Sequence, residues 1–287
     1  MLDELFKQFD GAFAETTIRA YRSDFTNFSN WCARNTVAPL ESSPQQLSDY
    51  IDQQSHRLAS ATIRRHVASI GSVLRMSGRK DITKDPAVVL ALKRMHRKNG
   101  RAQHQAIPLT ANLLEELLAV CDPGTRGQRD EVLLRLGYET MRRRSELCRF
   151  KFSDIVVLPN GKTGIKLNFS KTDQFGKGKL IPISTQLYQA IETWGDTAGR
   201  SNYILKSVTK NGEVGPSLNP GSIGRLLQDL QLQAGLKLGG RLTGHSFRVG
   251  AALDLLDRGE TLEKIMLRGG WHAESTVVRY LREWQAL

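Results

Sequence analysis

The chain has 287 residues, 40% hydrophobic and 24% charged, which suits two globular domains with a substantial core and excludes a disordered segment. Lys and Arg outnumber Asp and Glu, giving a formal net charge of +12 and a pI near 9.8, so a polyanion is the expected partner and its binding should weaken with salt. The longest apolar runs, such as Val88–Leu92, are too short to span a bilayer, and Asp3 and Glu4 do not fit a signal peptide. Cys32, Cys121 and Cys148 are scattered, which implies a reducing, cytoplasmic compartment and no disulfide framework. The six His have no close Cys or His partner, so no zinc site is expected.

Ile18, Tyr21, Phe25, Phe28 and Cys32 recur at helical spacing with Trp31 beside them, and Thr16 or Thr17 can cap that helix. Ser43–Pro44 is a cap followed by Pro at the first helical position, with Leu47, Tyr50 and Ile51 inward. A third helix runs from about Ala61 to Met76. It turns Ile63, Val67, Ile70 and Leu74 inward, with Arg64, Arg65, Ser69, Ser72 and Arg75 elsewhere. Asp85–Pro86 opens a fourth, carrying Val88, Val89 and Leu92. Residues 1–100 therefore read as an all-helical bundle. Its repeated Arg residues are either solvated helix faces or phosphate contacts, with Arg64 and Arg65 the candidates.

The basic run Lys93–Arg101 ends in Asn–Gly–Arg and precedes a polar stretch and Pro108, which sets a linker at 101–107. Arg97 and Lys98 are candidate DNA contacts there, and a plain tether is the competing reading. A second domain spans 108–287. Helices are expected at Leu113–Leu118, Asp130–Met141 and from Ser145. The period then changes. Asn160–Gly161 is a hairpin turn, and Thr163–Phe169 and Lys179–Ile183 read as strands joined by Lys171–Gly178. Helices resume at about Thr185–Trp194, Ser222–Ala234, Ser246–Asp257, Leu262–Arg268 and Glu274–Trp284. The class is mainly α with a small antiparallel sheet.

The chemistry-bearing residues lie in this second domain. Arg143 and Glu146 are three apart and can share a helix face, the carboxylate holding the guanidinium; a surface Arg cluster is the competing reading. His245 and Arg248 are likewise three apart in Thr243–Gly250. The Arg offers a planar fork of donors for phosphate, while the His caps the helix or moves a proton. Lys171 sits at the hairpin tip as a solvated residue or a mobile acid, with Lys177 and Lys179 competing for that role. Tyr280 has an ordinary hydroxyl with a pKa near ~10, a poor nucleophile unless cations gather round it. Such a set needs no metal or cofactor to break and rejoin a phosphodiester.

Arg three residues before Glu, a hairpin Lys, His–x–x–Arg followed by small residues, Gly269–Gly270–Trp271 and then Tyr280 resemble the tyrosine recombinase, or phage integrase, family across the second domain. The family usually has His nine residues before the Tyr; Trp271 holds that position here, which is most similar to the Cre-like members. The resemblance implies an active-site set of Arg143, Lys171, His245, Arg248, Trp271 and Tyr280, with Glu146 supporting. Tyr280 would attack the scissile phosphate to form a 3′-phosphotyrosine, and a 5′ hydroxyl would then displace it. It also implies a two-domain C-shaped clamp on double-stranded DNA with inverted-repeat arms, and a homotetramer on two sites. Relatives often carry a further C-terminal helix that docks into a neighbour; here residues 281–287 follow the Tyr. Gly221 and Gly224 have no side chains to read bases where Cre-like members do so, which leaves Arg225 as the candidate. A type IB topoisomerase and a non-catalytic DNA-binding protein of the same fold share parts of this pattern.

Overall fold

The structure is a computed structural model that describes residues 2–101, 105–168, 178–275, 277–278 and 281. The chain divides into two compact units, Met1–His104 and Gln105–Leu287. Among the described residues no helix is long and apolar enough to cross a membrane.

The first unit is helical throughout: α1 Leu2–Lys7, α2 Glu15–Arg34, α3 Pro44–Gln54, α4 Ser60–Met76 and α5 Pro86–Asn99. The caps at α3 and α5 match the sequence. Ser43 and Gln46 form a reciprocal capping box, and Asp85 accepts the Ala87 N–H at 3.0 Å. Phe25, Phe28, Trp31, Tyr50, Ile63, Ile70 and Val73 fill one core.

Several expectations need correction here. Neither Thr16 nor Thr17 caps α2: the extended residue at its start is Ala14, and Glu15 places a carboxylate in the positive first turn instead. The short α1 was not expected, although Leu5, Phe6 and Phe9 carry helical spacing and the two Phe rings are buried. Val89 is 38% exposed while Ala91 and Met95 face inward, because starting α5 at Pro86 sets the phase 88–91–95. Ser69 is buried, not outward, because it bonds a buried carboxylate on α2. Most of the basic run is also helix. Lys93–Asn99 forms the last two turns of α5, which ends at Gly100 with φ 72°, and Arg97 and Lys98 lie in its last turn, at the carbonyl end.

The second unit comprises α6 Ala111–Leu118, α7 Thr125–Thr140, α8 Arg144–Leu147, β1 Ile155–Val157, β2 Thr163–Leu167, β3 Lys179–Ile183, α9 Thr185–Ala198, α10 Ile223–Gln233, α11 Ser246–Asp257 and α12 Leu262–Gly269. Residues 274–275, 277–278 and 281 are also helical. The strands form one antiparallel sheet in the order β1-β2-β3, with Ile165 opposite both Ile155 and Ile181. Gly161 sits at φ 75° in the turn between β1 and β2, a conformation that costs glycine little.

Helix α11 organises this unit. Every residue from Ser246 to Leu253 is buried, so the first two turns of the helix are enclosed. Such a helix needs small residues where backbones cross. A Cβ on Gly137 of α7 would lie 2.6 Å from the Phe247 ring, and one on Gly250 would lie 1.9 Å from the Leu109 carbonyl oxygen. The Leu109 N–H donates to the Ser246 carbonyl at 3.0 Å. Asp254 accepts the Ala111 N–H at 2.8 Å at the start of α6, and the Tyr138 hydroxyl as well. Nothing lies within 4 Å of a Cβ built on Gly239. Gly250→Val should therefore lower the unfolding free energy by about 3 kcal/mol, and Gly239→Val should change it by less than about 0.5 kcal/mol. Urea denaturation of the two variants checks this.

Candidate active site

Three chain reversals build the site, and the first is the end of α7. Met141 adopts φ 53° and ψ 34°, left-handed and costly for a residue with a Cβ. Its N–H still bonds the Gly137 carbonyl at 3.1 Å, while its own carbonyl turns to accept Nη1 of Arg248. The three arginines that follow then point three ways. Arg142 is 2% exposed, Arg143 is half-buried and Arg144 is exposed.

Arg143 stands at the start of α8, and Glu146 at the third helical position reaches back to it. One carboxylate oxygen accepts the Arg143 backbone N–H at 3.1 Å; the other accepts its guanidinium at 2.9 Å. Glu146 is 4% exposed, and burial alone would raise its pKa. The bonds from Arg143 and the charges of Arg143 and Arg142 overcome that and hold it below the usual carboxylate range.

The second reversal opens α11. Thr243 Oγ1 accepts the His245 N–H at 3.2 Å, and Ser246 Oγ accepts the Thr243 N–H at 2.9 Å. Burial, with the charges of Arg248 and Arg143, pushes the His245 imidazole down to about 4. It is therefore neutral at pH 7 and able to accept a proton. Arg248, one turn further in, is 1% exposed, and its guanidinium carbon lies 4.4 Å from the centroid of the Trp271 ring.

The third reversal is the end of α12. Gly270 sits at φ 67°, and the Trp271 N–H reaches back to the Met266 carbonyl at 3.0 Å. The indole folds over Gly269, where a Cβ would lie 1.8 Å from the ring; a Cβ on Gly270 would lie 2.7 Å from Arg142. The Gly–Gly pair thus serves both the turn and the close approach. The last carbonyls of α12 receive cations: Lys179 at the start of β3 donates to that of Leu267, and Arg142 to that of Arg268. Arg142 also donates to the Thr140 carbonyl at 2.7 Å. Its burial and the neighbouring Arg143 push its pKa down to about 10, with Glu146 pulling the other way.

The structure thus brings Arg143, Glu146, His245, Arg248 and Trp271 together. Lys171 and Tyr280 lie outside the described residues. Of the competing lysines, Lys177 also lies outside them, and Lys179 is held against α12, with burial and the charges of Arg142 and Arg268 lowering its pKa. Arg64, Arg65, Arg97 and Lys98 are on the first unit, where Lys98 lies 3.2 Å from the His56 ring. Arg225 is exposed on α10. The sequence reading missed Met141 and the buried Arg142. Three successive arginines at a helix junction were the available signal, since they cannot all reach solvent. The resulting chemistry is that of an anion receptor. Guanidiniums are fixed before any ligand arrives, a neutral imidazole lies beside them, and Glu146 supplies one negative charge.

This geometry predicts an acid-side loss of stability. The unfolded imidazole takes up a proton near its ordinary 6.5, whereas the folded one resists until about 4. Stability is therefore present above pH 6.5 and lost as the pH falls towards 4. Thermal melts from pH 7 to 4.5 should fall more steeply for the natural protein than for His245→Gln. Parallel curves would contradict the burial of a neutral His245.

Comparison with known proteins places these features in context. The sequence pattern of the phage integrase family matches residues 108–286. Recombinase cre of Escherichia phage P1 is 28% identical over 291 residues, covering 94% of this chain and 85% of that protein. A lambda integrase(75–356) dimer bound to a COC′ core site superposes with a TM-score of 0.69 at 17% identity, over 98% of this chain and 93% of that one. A lambda integrase tetramer bound to a Holliday junction gives a TM-score of 0.68 at 16% identity, over 97% of this chain and 75% of that one.

Proposed function

From the premise that the chain belongs to the phage integrase family and is a tyrosine-type DNA recombinase, we propose that it cuts and rejoins DNA at inverted-repeat sites through a 3′-phosphotyrosine on Tyr280. The observation that carries this is the set of Arg143, His245, Arg248 and Trp271, brought together by three chain reversals.

In this mechanism the Tyr280 oxygen attacks the scissile phosphorus, and the bond to the 5′ oxygen breaks. Arg143 and Arg248 each face a non-bridging oxygen and stabilise the charge that grows there, each contributing about 3 kcal/mol. His245, neutral at the outset, accepts the tyrosine proton or hydrogen-bonds the phosphate. Trp271 keeps the Arg248 guanidinium in its plane. Lys171, which falls between β2 and β3 in the sequence, gives a proton to the departing 5′ oxygen. The phosphotyrosine ester conserves the bond energy, so a 5′ hydroxyl of a partner duplex can reverse the step on a new strand without a metal ion or ATP.

The first 100 residues contribute Arg64 and Arg65, and the end of α5 contributes Arg97 and Lys98, to hold double-stranded DNA; residues 101–107 link them to the catalytic part, whose Arg225 adds a contact. The lambda integrase tetramer on a Holliday junction supports a homotetramer acting on two sites. The protein acts in the cytoplasm on nucleoid-associated DNA.

A random duplex library incubated with the protein and then denatured should yield covalent adducts sharing one site. Tyr280→Phe should abolish the adduct while retaining DNA binding in a gel-shift assay. Adducts that persist in Tyr280→Phe, or none with the natural protein, would overturn the proposal.

A further inference from the structure

The first unit holds a charged cluster that the catalytic proposal does not use. Asp24, in the middle of α2, is 0% exposed. Its Oδ1 accepts Nη1 of Arg65 at 2.5 Å, and its Oδ2 accepts the Ser69 hydroxyl at 2.7 Å. His66 Nε2 lies 3.3 Å from the same Oδ1, and its Nδ1 lies 2.8 Å from the Tyr50 hydroxyl. Burial lowers the His66 pKa, with Asp24 opposing and Arg65 adding to the fall. A neutral His66 leaves Arg65 as the cation that compensates Asp24.

Burying a carboxylate to hold one arginine has a consequence for what that arginine can do. The Arg65 side chain is 52% exposed, so part of it reaches solvent while Nη1 is held by Asp24. A phosphate can be held either by an oriented fork or by a point charge on a flexible stem. Guanine O6 and N7, by contrast, accept two parallel N–H bonds only from an oriented guanidinium.

The surroundings point the same way. Arg65 borders a cavity of about 440 Å³ whose other polar lining includes Asn27, Asn30, Arg34, Gln54 and Arg57. Neither Asp, Glu nor Lys lines it. Amides and guanidiniums are the side chains that pair in two-point fashion with adenine and guanine edges. A surface built for phosphate alone would use lysines as readily.

We propose that Arg65 is a specificity-determining side chain that reads a guanine edge in the major groove, and that Asp24 is the positioning residue that holds its fork in the reading pose. This revises the expectation that Arg65 contacts phosphate, and it rests on the protein being a DNA recombinase that recognises a defined site.

The test uses the full chain and a random duplex library at fixed salt, with selected sequences read for base preference at each position. The natural protein, Arg65→Ala, Arg65→Lys and Asp24→Asn are compared. The expected result is loss of one guanine preference, roughly 10-fold or more in discrimination, at the same position in all three variants, with other positions unchanged. Arg65→Lys is the decisive variant, since it keeps the positive charge at a half-exposed site. Circular dichroism confirms that each variant is folded; an unfolded Asp24→Asn leaves the decision to the two Arg65 variants. An even loss of affinity across all sequences, or unchanged preferences in Arg65→Lys, overturns base reading. A guanine preference lost in Arg65→Ala but kept in folded Asp24→Asn overturns the positioning role. If the natural protein selects no site at all, the recombinase reading falls and this inference with it.

Discussion

A guanidinium that water cannot reach must find its partners inside the protein, and Arg248 imposes that requirement on the whole second unit. An unpartnered buried charge costs several kcal/mol. Here the Met141 carbonyl accepts from it and the Trp271 face covers it. Each partner needs a special backbone. Met141 is left-handed, and Trp271 reaches Arg248 only because Gly269 and Gly270 let the chain fold back. Helix α11, which carries Arg248, is buried from Ser246 to Leu253 and needs Gly137 and Gly250 at its closest approaches. Strain, small residues and buried charge are one connected arrangement.

The same device appears in both units. A buried carboxylate, Glu146 in one and Asp24 in the other, takes one edge of an arginine fork and leaves the rest of the side chain partly exposed. Each arginine is oriented before a ligand arrives, so little rotamer entropy remains to be lost on binding. In the mechanism proposed above the Arg143 fork would meet a phosphate, and the lining of the cavity beside Arg65 suits base edges. The same physical arrangement would then serve rate in one place and discrimination in the other.

Much of this was legible from residue order. Ser43–Pro44 and Asp85–Pro86 announced helix starts, the change of period after the helix from Ser145 announced the sheet, and Arg143 with Glu146 announced a pair three residues apart. What stayed hidden depends on neighbours distant in sequence. Nothing local marks Met141 as left-handed, because the partner that makes it worthwhile lies 107 positions away. Arg142 and Ser69 looked like surface residues, since their acceptors, the Arg268 carbonyl and Asp24, belong to other helices. Asp24 itself reads as a polar position on an amphipathic helix until α4 is packed against it. Trp271 illustrates the reverse case: family resemblance gave its place in the site, and the structure supplies the physical reason, a stack on Arg248.

The central claim is that Arg248 and Trp271 are coupled in the free protein, before DNA is present. A double-mutant cycle on unfolding free energy, using Arg248→Met, Trp271→Leu and the double variant, measures that coupling directly. A coupling of about 1–2 kcal/mol is the predicted result. Effects that add to within about 0.3 kcal/mol would mean that the two groups do not hold one another, and that the site is not assembled in advance.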